Sequence, residues 1–211
     1  MARGGIPDRT VSRLPWYLRC LDQLPPRQQT VSSEEIATAL NIKAAQVRKD
    51  LWYLDCEGRR GVGYEVSSLV SHITDALGIN APVAIVIVGM GNLGMALAHY
   101  QGFANRGLTL TGLYDTDPHK IGTRVGEMTV RHPDDLAEDV GESGVSIGII
   151  ATPAPAAQRV VDLLVAVGVT SILNFAPVML RVPDEVTLRR VDVATELLIL
   201  GFHQSNSGRP G

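Results

Sequence analysis

Gly89, Gly91 and Gly94 in VGMGNLG are spaced as G-x-G-x-x-G, a pattern whose chemistry is the seating of a pyrophosphate. The first glycine permits a tight turn, the second lets the phosphates approach the backbone, and the third lets a helix pack on a strand. Met90, Asn92 and Leu93 fill the intervening positions and belong to the same candidate loop. The flanks fit that use. VAIVIV ahead of the loop is uniformly apolar and β-branched, as a strand buried on both faces must be. Behind it, Asn92 to Asn105 reads as the helix whose positive end faces the phosphates. LTLTGLYD supplies a second strand ending at Asp115, twenty-one residues after Gly94, where a carboxylate can bond ribose hydroxyls. Asp117 adds negative charge that would repel a 2′-phosphate, so NADH/NAD⁺ is expected rather than the phosphorylated cofactor.

A second set of residues suits another chemistry. Lys43, Arg48, Lys49, Arg59 and Arg60 fall within eighteen residues. They accompany TVSSEEIATALNIKAAQVRKDLWYL, which reads as two short helices around a tight turn. Ser32 and Glu35 are spaced as a capping box. Ile36, Ala37 and Leu40 follow at helical spacing, and Asn41 tolerates the left-handed conformation that ends a helix. Ile42, Val47, Leu51 and Leu54 then form a second apolar stripe, with Ala44 and Ala45 small at the crossing, as a helix-turn-helix requires. Gln46, Lys49, Asp50 and Tyr53 are expected away from that stripe and Arg48 at its margin. Gln46, Arg48 and Lys49 are the types that read base edges and hold phosphates. In EGRRGVGYEV, three glycines flank Arg59 and Arg60, as in a wing whose tip lies along the DNA backbone or minor groove. The candidate DNA-binding residues are therefore Lys43, Gln46, Arg48, Lys49, Tyr53, Arg59 and Arg60. A small protein-interaction bundle is the competing reading of the same pattern.

The 211 residues allow two small domains, each with a real core. VSRLPWYLRCLDQL is an amphipathic first helix that closes the core of a winged helix running from residue 6 to about 70. After Asp115, GVSIGIIAT, PAPAAQRVVDLLVAVG and TSILNF read as strand, helix and strand, and RVPDEVTLRRVDV leads to a last apolar helix, ATELLILGFHQ. Such alternation means a parallel, doubly wound sheet, with ligands at the carboxyl ends of its strands, where the ATPAP turn falls. The expected α/β architecture is a winged-helix domain over 1–80 followed by a Rossmann domain over 81–211. Val191 to Phe202 is apolar on most sides, so that helix is expected against a second subunit of a homodimer.

Composition narrows the function classes. No apolar run approaches the roughly 20 residues that span a bilayer. MARGGIPDRT has no apolar core, so no secretory signal is expected and a cytoplasmic setting is. Cys20 and Cys56 form neither a disulfide framework nor a metal-ligand spacing, and no metal is expected. Cys56 beside Arg59 and Arg60 has two readings, an inert surface thiol or an oxidant-sensing thiol with a lowered pKa. Residues 1–81 hold ten Lys/Arg against nine Asp/Glu, and residues 82–211 nine against thirteen, so the stated net charge of −3 hides a basic first part. A dehydrogenase would need a proton-transfer group near the nicotinamide. His99 sits in the first nucleotide-domain helix, and His119, His132 and His203 lie in loop or terminal contexts, so no catalytic residue is expected. The nucleotide then acts as an effector. The alternatives are a small NAD-dependent oxidoreductase with a helical N-terminal cap, and a nucleotide- or CoA-binding scaffold without DNA contact.

The chain also resembles a known family, the redox-sensing transcriptional repressor Rex, from about Ile6 to His203. The resemblance rests on VSRLPWYLR, VRKDLWYL with RGVGY, VGMGNLG with Tyr100 and Gly102-Phe103, YDTDPHKIG, ILNFAPV and VDVATEL. It implies a homodimer with the last helix swapped onto the partner, which binds operators of respiratory and fermentative genes when NAD⁺ dominates and leaves them when NADH binds. It places Thr152, Pro153, Asn174, Phe175 and Val193 near the nicotinamide, and Arg19, Lys49, Tyr100 and Asp192 in a redox-dependent contact network. The chain departs from the family's usual serine at Trp52, aromatic-glycine pair at Leu54-Asp55, aromatic at Glu57, threonine at Arg59 and bulkier residue at Val193, and Cys56 is unusual there.

Overall fold

The computed structural model describes residues 5–207, and their side chains except at 139, 141–143 and 206–207. They form two compact units, divided between Ala81 and Pro82.

The first unit opens with α1 (Asp8–Val11) and α2 (Leu14–Asp22). The single first helix expected from the sequence is thus two, with Pro15 in the first turn of the second, where its missing N–H is tolerated. β1 (Thr30–Val31) leads to α3 (Ser33–Leu40), and α4 (Ala44–Tyr53) follows the turn. The capping box is made: Ser32 Oγ accepts from Glu35 N at 3.1 Å and Glu35 Oε2 from Ser32 N at 2.7 Å. Asn41 closes α3 in the left-handed conformation, φ 51°. β2 (Tyr64–Glu65) pairs antiparallel with β1. Between α4 and β2 the chain makes a tight hairpin in which the Arg59 and Gly63 backbones exchange both hydrogen bonds. Gly63 has φ +95°, and a Cβ there would stand 2.4 Å from the Val31 carbonyl oxygen, so the hairpin fits against β1 only with glycine. α5 (Val66–Leu77) then packs Leu69 and Ile73 onto a core of Leu14, Tyr17, Ile36, Val47 and Leu51. This is a winged helix, and its last helix carries it beyond the expected limit near residue 70.

The second unit is a seven-stranded sheet in the order β5-β6-β4-β3-β7-β8-β9. Its strands are β3 (Val83–Val88), β4 (Leu108–Tyr114), β5 (Arg124–Val125), β6 (Met128–Arg131), β7 (Ile147–Ile150), β8 (Ser171–Asn174) and β9 (Thr187–Arg190). All neighbours are parallel except the β5–β6 hairpin. The helices are α6 (Asn92–Ala98), α7 (Leu136–Ser143), α8 (Ala154–Ala166) and α9 (Val193–Ser207). Central β3 is buried at Ile85 to Val88, as its uniform apolarity demands. The strand order reverses at β3, between β4 and β7, so a crevice opens at the carboxyl ends of these strands.

Two expectations about elements change. The helix over Asn92–Asn105 stops at Ala98, and beyond it the Tyr100 ring lies over Gly102, where a Cβ would stand 2.2 Å from it. RVPDEVTLRRVDV is no mere lead-in but holds edge strand β9. α9 packs no apolar side chain into its own unit's core: Leu198 is 75% exposed and Phe202 64%. Among the described residues, no helix is long and apolar enough to cross a membrane.

Candidate functional site

A cleft of about 880 Å³ lies over the carboxyl ends of β3, β4 and β7. Gly89 turns the chain out of β3 with φ +103°, and a Cβ there would meet the Ala151 carbonyl at 2.7 Å. At Gly94 a Cβ would stand 1.9 Å from the Gly89 oxygen, so α6 reaches the strand only because that position is glycine. Gly91 faces open space and, with Asn92 and Leu93, lines the cleft. Met90 and Gly94 lie beneath the loop rather than in it. The Met90 side chain is buried in the core, and its N–H donates to Asp115.

Asp115 ends β4 at the cleft wall and is nearly buried. Its Oδ2 accepts from Met90 N at 2.7 Å and Lys120 Nζ at 2.9 Å, and its Oδ1 from Asp117 N at 2.9 Å. Burial pushes this carboxyl up, but the hydrogen bonds from Asp117, Lys120 and Met90 outweigh it and hold it below the ordinary carboxylate range. With two lone pairs per oxygen, Oδ1 keeps one for a ribose hydroxyl. Lys120, absent from the sequence reading, also stands 3.8 Å from Asp117, so the two carboxylates there do not act as two bare charges. The only signal was a lysine five residues after Asp115.

His132, Pro133 and Asp134, after β6, line the same side of the cleft. After β7 and β8, Ala151, Thr152, Pro153 and Phe175 line the cleft, and α8 adds Pro155, Ala156 and the cation Arg159. Thr152 Oγ1 is buried there with no hydrogen-bond partner, so a ligand could satisfy it. Asn174 does not line the cleft. Its Oδ1 accepts from Ala176 N at 2.8 Å and its Nδ2 donates to Ala176 O at 3.0 Å, which shapes the loop that presents Phe175. Val193, at the start of α9, is exposed and lines no part of its own chain's cleft.

On the winged helix, Lys43, Lys49, Arg59 and Arg60 are exposed, and their side chains make no ion pair among the described residues. Tyr53 packs edge-on against Trp52 at 5.3 Å. Arg48 is tethered: its Nη1 donates to Ser33 Oγ at 3.0 Å and Glu34 Oε1 at 2.9 Å, beside a hollow lined by Arg59 and Arg60.

Asp50 corrects the sequence reading. Expected off the buried stripe, it is fully buried. Position 50 is three after Val47 and four before Leu54, so it shares their face. Arg13 grips it as a fork, Nε to Oδ2 at 2.6 Å and Nη2 to Oδ1 at 2.7 Å. Tyr17, Thr10 and Gln46 donate to it at 2.5, 3.0 and 2.9 Å. Burial pushes the carboxyl up, yet the bonds from Arg13, Tyr17, Gln46 and Thr10 hold it below the ordinary range. Burial, then Asp50, keeps the Tyr17 hydroxyl protonated well above its usual value. The network ties α1 and α2 to α4, and takes one N–H of Gln46.

Of the four residues in the expected contact network, Arg19 lies 5.9 Å from the Trp16 ring centre and Lys49 is free. Tyr100 is 55% exposed and edge-on to Phe103. Asp192 caps α9, its Oδ1 accepting from Ala194 N at 2.9 Å and its Oδ2 from Thr195 Oγ1 at 2.9 Å. The lowered-pKa reading of Cys56 is overturned: burial, then Asp55, pushes the thiol up to about 11, so it is protonated at neutral pH. Among the described residues, no His, Cys, Asp and Glu gather as metal ligands.

Comparison with known proteins covers both units. Residues 5–51 match a family described as putative DNA-binding protein N-terminus, and residues 80–178 match the CoA binding domain family. A redox-sensing transcriptional repressor Rex of Streptomyces griseus is 54% identical over 95% of this chain and 79% of its own length. That of Pelotomaculum thermopropionicum is 46% identical over 94% of this chain and 93% of its own. The crystal structure of RSP with β-NAD⁺ and operator DNA is similar at a TM-score of 0.88 and 31% identity, over 96% of this chain and 94% of that one. RSP with β-NADH gives 0.83 at 30% identity, over 96% and 95%.

Proposed function

The chain belongs to the Rex family of redox-sensing transcriptional repressors, and from that premise we propose that it holds operator DNA with its winged helix and lets go when NADH fills the cleft. One observation carries the reading: a winged helix with free cations at Lys49, Arg59 and Arg60 is joined in one chain to a dinucleotide-sized cleft. Lys43, Arg48, Lys49, Tyr53, Arg59 and Arg60 bind DNA and Gln46 meets base edges, with Arg48 set by Glu34 to hold a phosphate rather than a base. In the cleft, Gly91, Asn92 and Leu93 face the pyrophosphate, Gly89, Met90 and Gly94 shape the loop that carries them, and Asp115 bonds the adenosine ribose.

NADH and NAD⁺ share every adenosine and phosphate contact, so the two are told apart at the nicotinamide, which is cationic when oxidised and neutral when reduced. Thr152 offers its unpaired hydroxyl to that end, Pro153 and Phe175 supply apolar walls, and Asn174 holds the Phe175 loop. An apolar wall favours the neutral ring, since burying an unpaired charge is costly. The exposed α9 is covered by a second copy of the chain, which brings Val193 of the partner subunit to the ring. The smaller valine leaves room there and weakens discrimination. Arg19, Lys49, Tyr100 and Asp192 then exchange partners between the two states, with Asp192 released from capping α9 in one of them. Thr152, Pro153 and Phe175 at the nicotinamide neither give nor take a proton readily, and Arg159 on α8 is a lining cation rather than a proton shuttle, so the nucleotide is an effector, the protein is a regulator rather than an enzyme, and it works in the cytoplasm.

The test is a gel shift with the full-length protein and the DNA upstream of its own gene. A retarded band that NADH abolishes and NAD⁺ preserves supports the reading. NADH turnover with a carbonyl substrate and no shifted band would return the oxidoreductase to first place.

A further inference from the structure

We infer that Asp50 is a positioning residue for base readout: by taking the Gln46 amide nitrogen it leaves the Gln46 carbonyl oxygen for the major groove, and so sets Gln46 to read adenine. The inference rests on the operator-binding reading of the winged helix.

An ionised carboxylate has lone pairs only, so the end of the Gln46 amide that faces it must be nitrogen. Asp50 cannot turn aside to release that bond, because Oδ1 also takes Thr10 and Arg13 Nη2 while Oδ2 takes Arg13 Nε and Tyr17. Among the described residues nothing else holds the Gln46 amide, which leaves Oε1 and the second N–H unspent. Gln46 is half-buried in the first turn of α4, and the first turn of a recognition helix is where side chains reach base edges. Adenine presents an N6 donor beside an N7 acceptor, which matches an oxygen and an N–H fixed in place. Guanine presents two acceptors, so the fixed carbonyl would face a lone pair.

The experiment is selection of binding sites from a random duplex library by the full-length protein, wild type, Gln46→Ala and Asp50→Asn. The wild type should enrich adenine at one position of each half-site. Gln46→Ala should lose that preference, roughly tenfold or more, and keep the others. Asp50→Asn has one oxygen where Asp50 has two, and the oxygen position that takes Gln46 also takes Arg13 Nη2 and Thr10, so the Gln46 amide loses its charged anchor. Preference for adenine at the same position should then weaken severalfold while the other positions keep theirs. A merely structural role would weaken every position together, and that outcome overturns the inference, as does an unchanged profile in Gln46→Ala. If Asp50→Asn does not fold, the wild type decides the matter in two measurements. Its Gln46 side-chain amide protons, assigned by their loss in Gln46→Ala, should exchange slowly. 7-Deazaadenine at the enriched position, which lacks N7, should cost about tenfold. Fast exchange or no penalty overturns the inference. A wild-type protein that enriches no sequence would instead overturn the operator-binding reading itself.

Discussion

Asp115→Ala removes one carboxylate and four relations at once, and the structure separates them. The Oδ1 lone pair left for the ribose hydroxyl disappears, a charge-assisted bond of about 1.5–3 kcal/mol. That alone lowers NADH affinity roughly ten- to hundredfold. Met90 N, beneath the loop, loses its acceptor, which costs about 1–3 kcal/mol and is felt as a less stable second unit rather than as selectivity. Asp117 N also loses its acceptor, toward solvent. Lys120 loses its 2.9 Å partner and keeps only Asp117 at 3.8 Å. A 2′-phosphate would then meet a freed ammonium and one carboxylate fewer, so NADPH affinity should fall less than NADH affinity, or rise. Fluorescence titration of both nucleotides against both proteins reads the difference directly. Losses of the same size for NADH and NADPH would show that Asp115 does not face the ribose.

Three further expectations follow the same physics. Arg60→Ala should weaken binding to all DNA sequences alike and lower the slope of log affinity against log salt by about one, as read by anisotropy from low to high salt. Asp50 is held below the ordinary carboxylate range, so its contribution to stability is complete above about pH 4 and is lost as pH falls through its lower folded value; in thermal melts, Asp50→Ala should cost about 3–5 kcal/mol at pH 7 and much less in acid. Asp55 follows α4 with φ +55°, a conformation glycine adopts without strain, so Asp55→Gly should keep the fold and tighten DNA binding by removing a negative charge, as read by anisotropy.

Much of this was legible because it is local. The capping box, the left-handed Asn41 and the glycine turn each depend on a few neighbouring residues, and each forms where its spacing places it. Asp55 is similar in kind: the family's usual glycine there is explained by a backbone angle that this chain adopts with an aspartate. What escaped depends on partners distant in sequence. A charged residue reads as exposed, so Asp50 was hidden by its charge although its spacing to Val47 and Leu54 put it on the buried face. The counter-charge that allows its burial, Arg13, lies thirty-seven positions away. Lys120 gained meaning only once the turn after β4 folded it back on Asp115. β9 runs along a sheet edge with mixed exposure, so it carries no continuous apolar signal. The helix from Asn92 ends earlier than its spacing predicts, at Ala98, where no glycine or asparagine follows directly to mark the end.

A nucleotide that releases DNA must in turn feel the DNA, and linkage makes that measurable without knowing the path. If NADH and operator DNA favour different states of the protein, each must weaken the other's binding by the same factor. The measurement is the NADH dissociation constant by fluorescence titration, without DNA and with saturating operator, set beside the operator affinity with and without saturating NADH. Equal factors of at least about tenfold are expected in both directions, with NAD⁺ giving a far smaller one. An NADH affinity that operator DNA leaves unchanged would contradict that coupling.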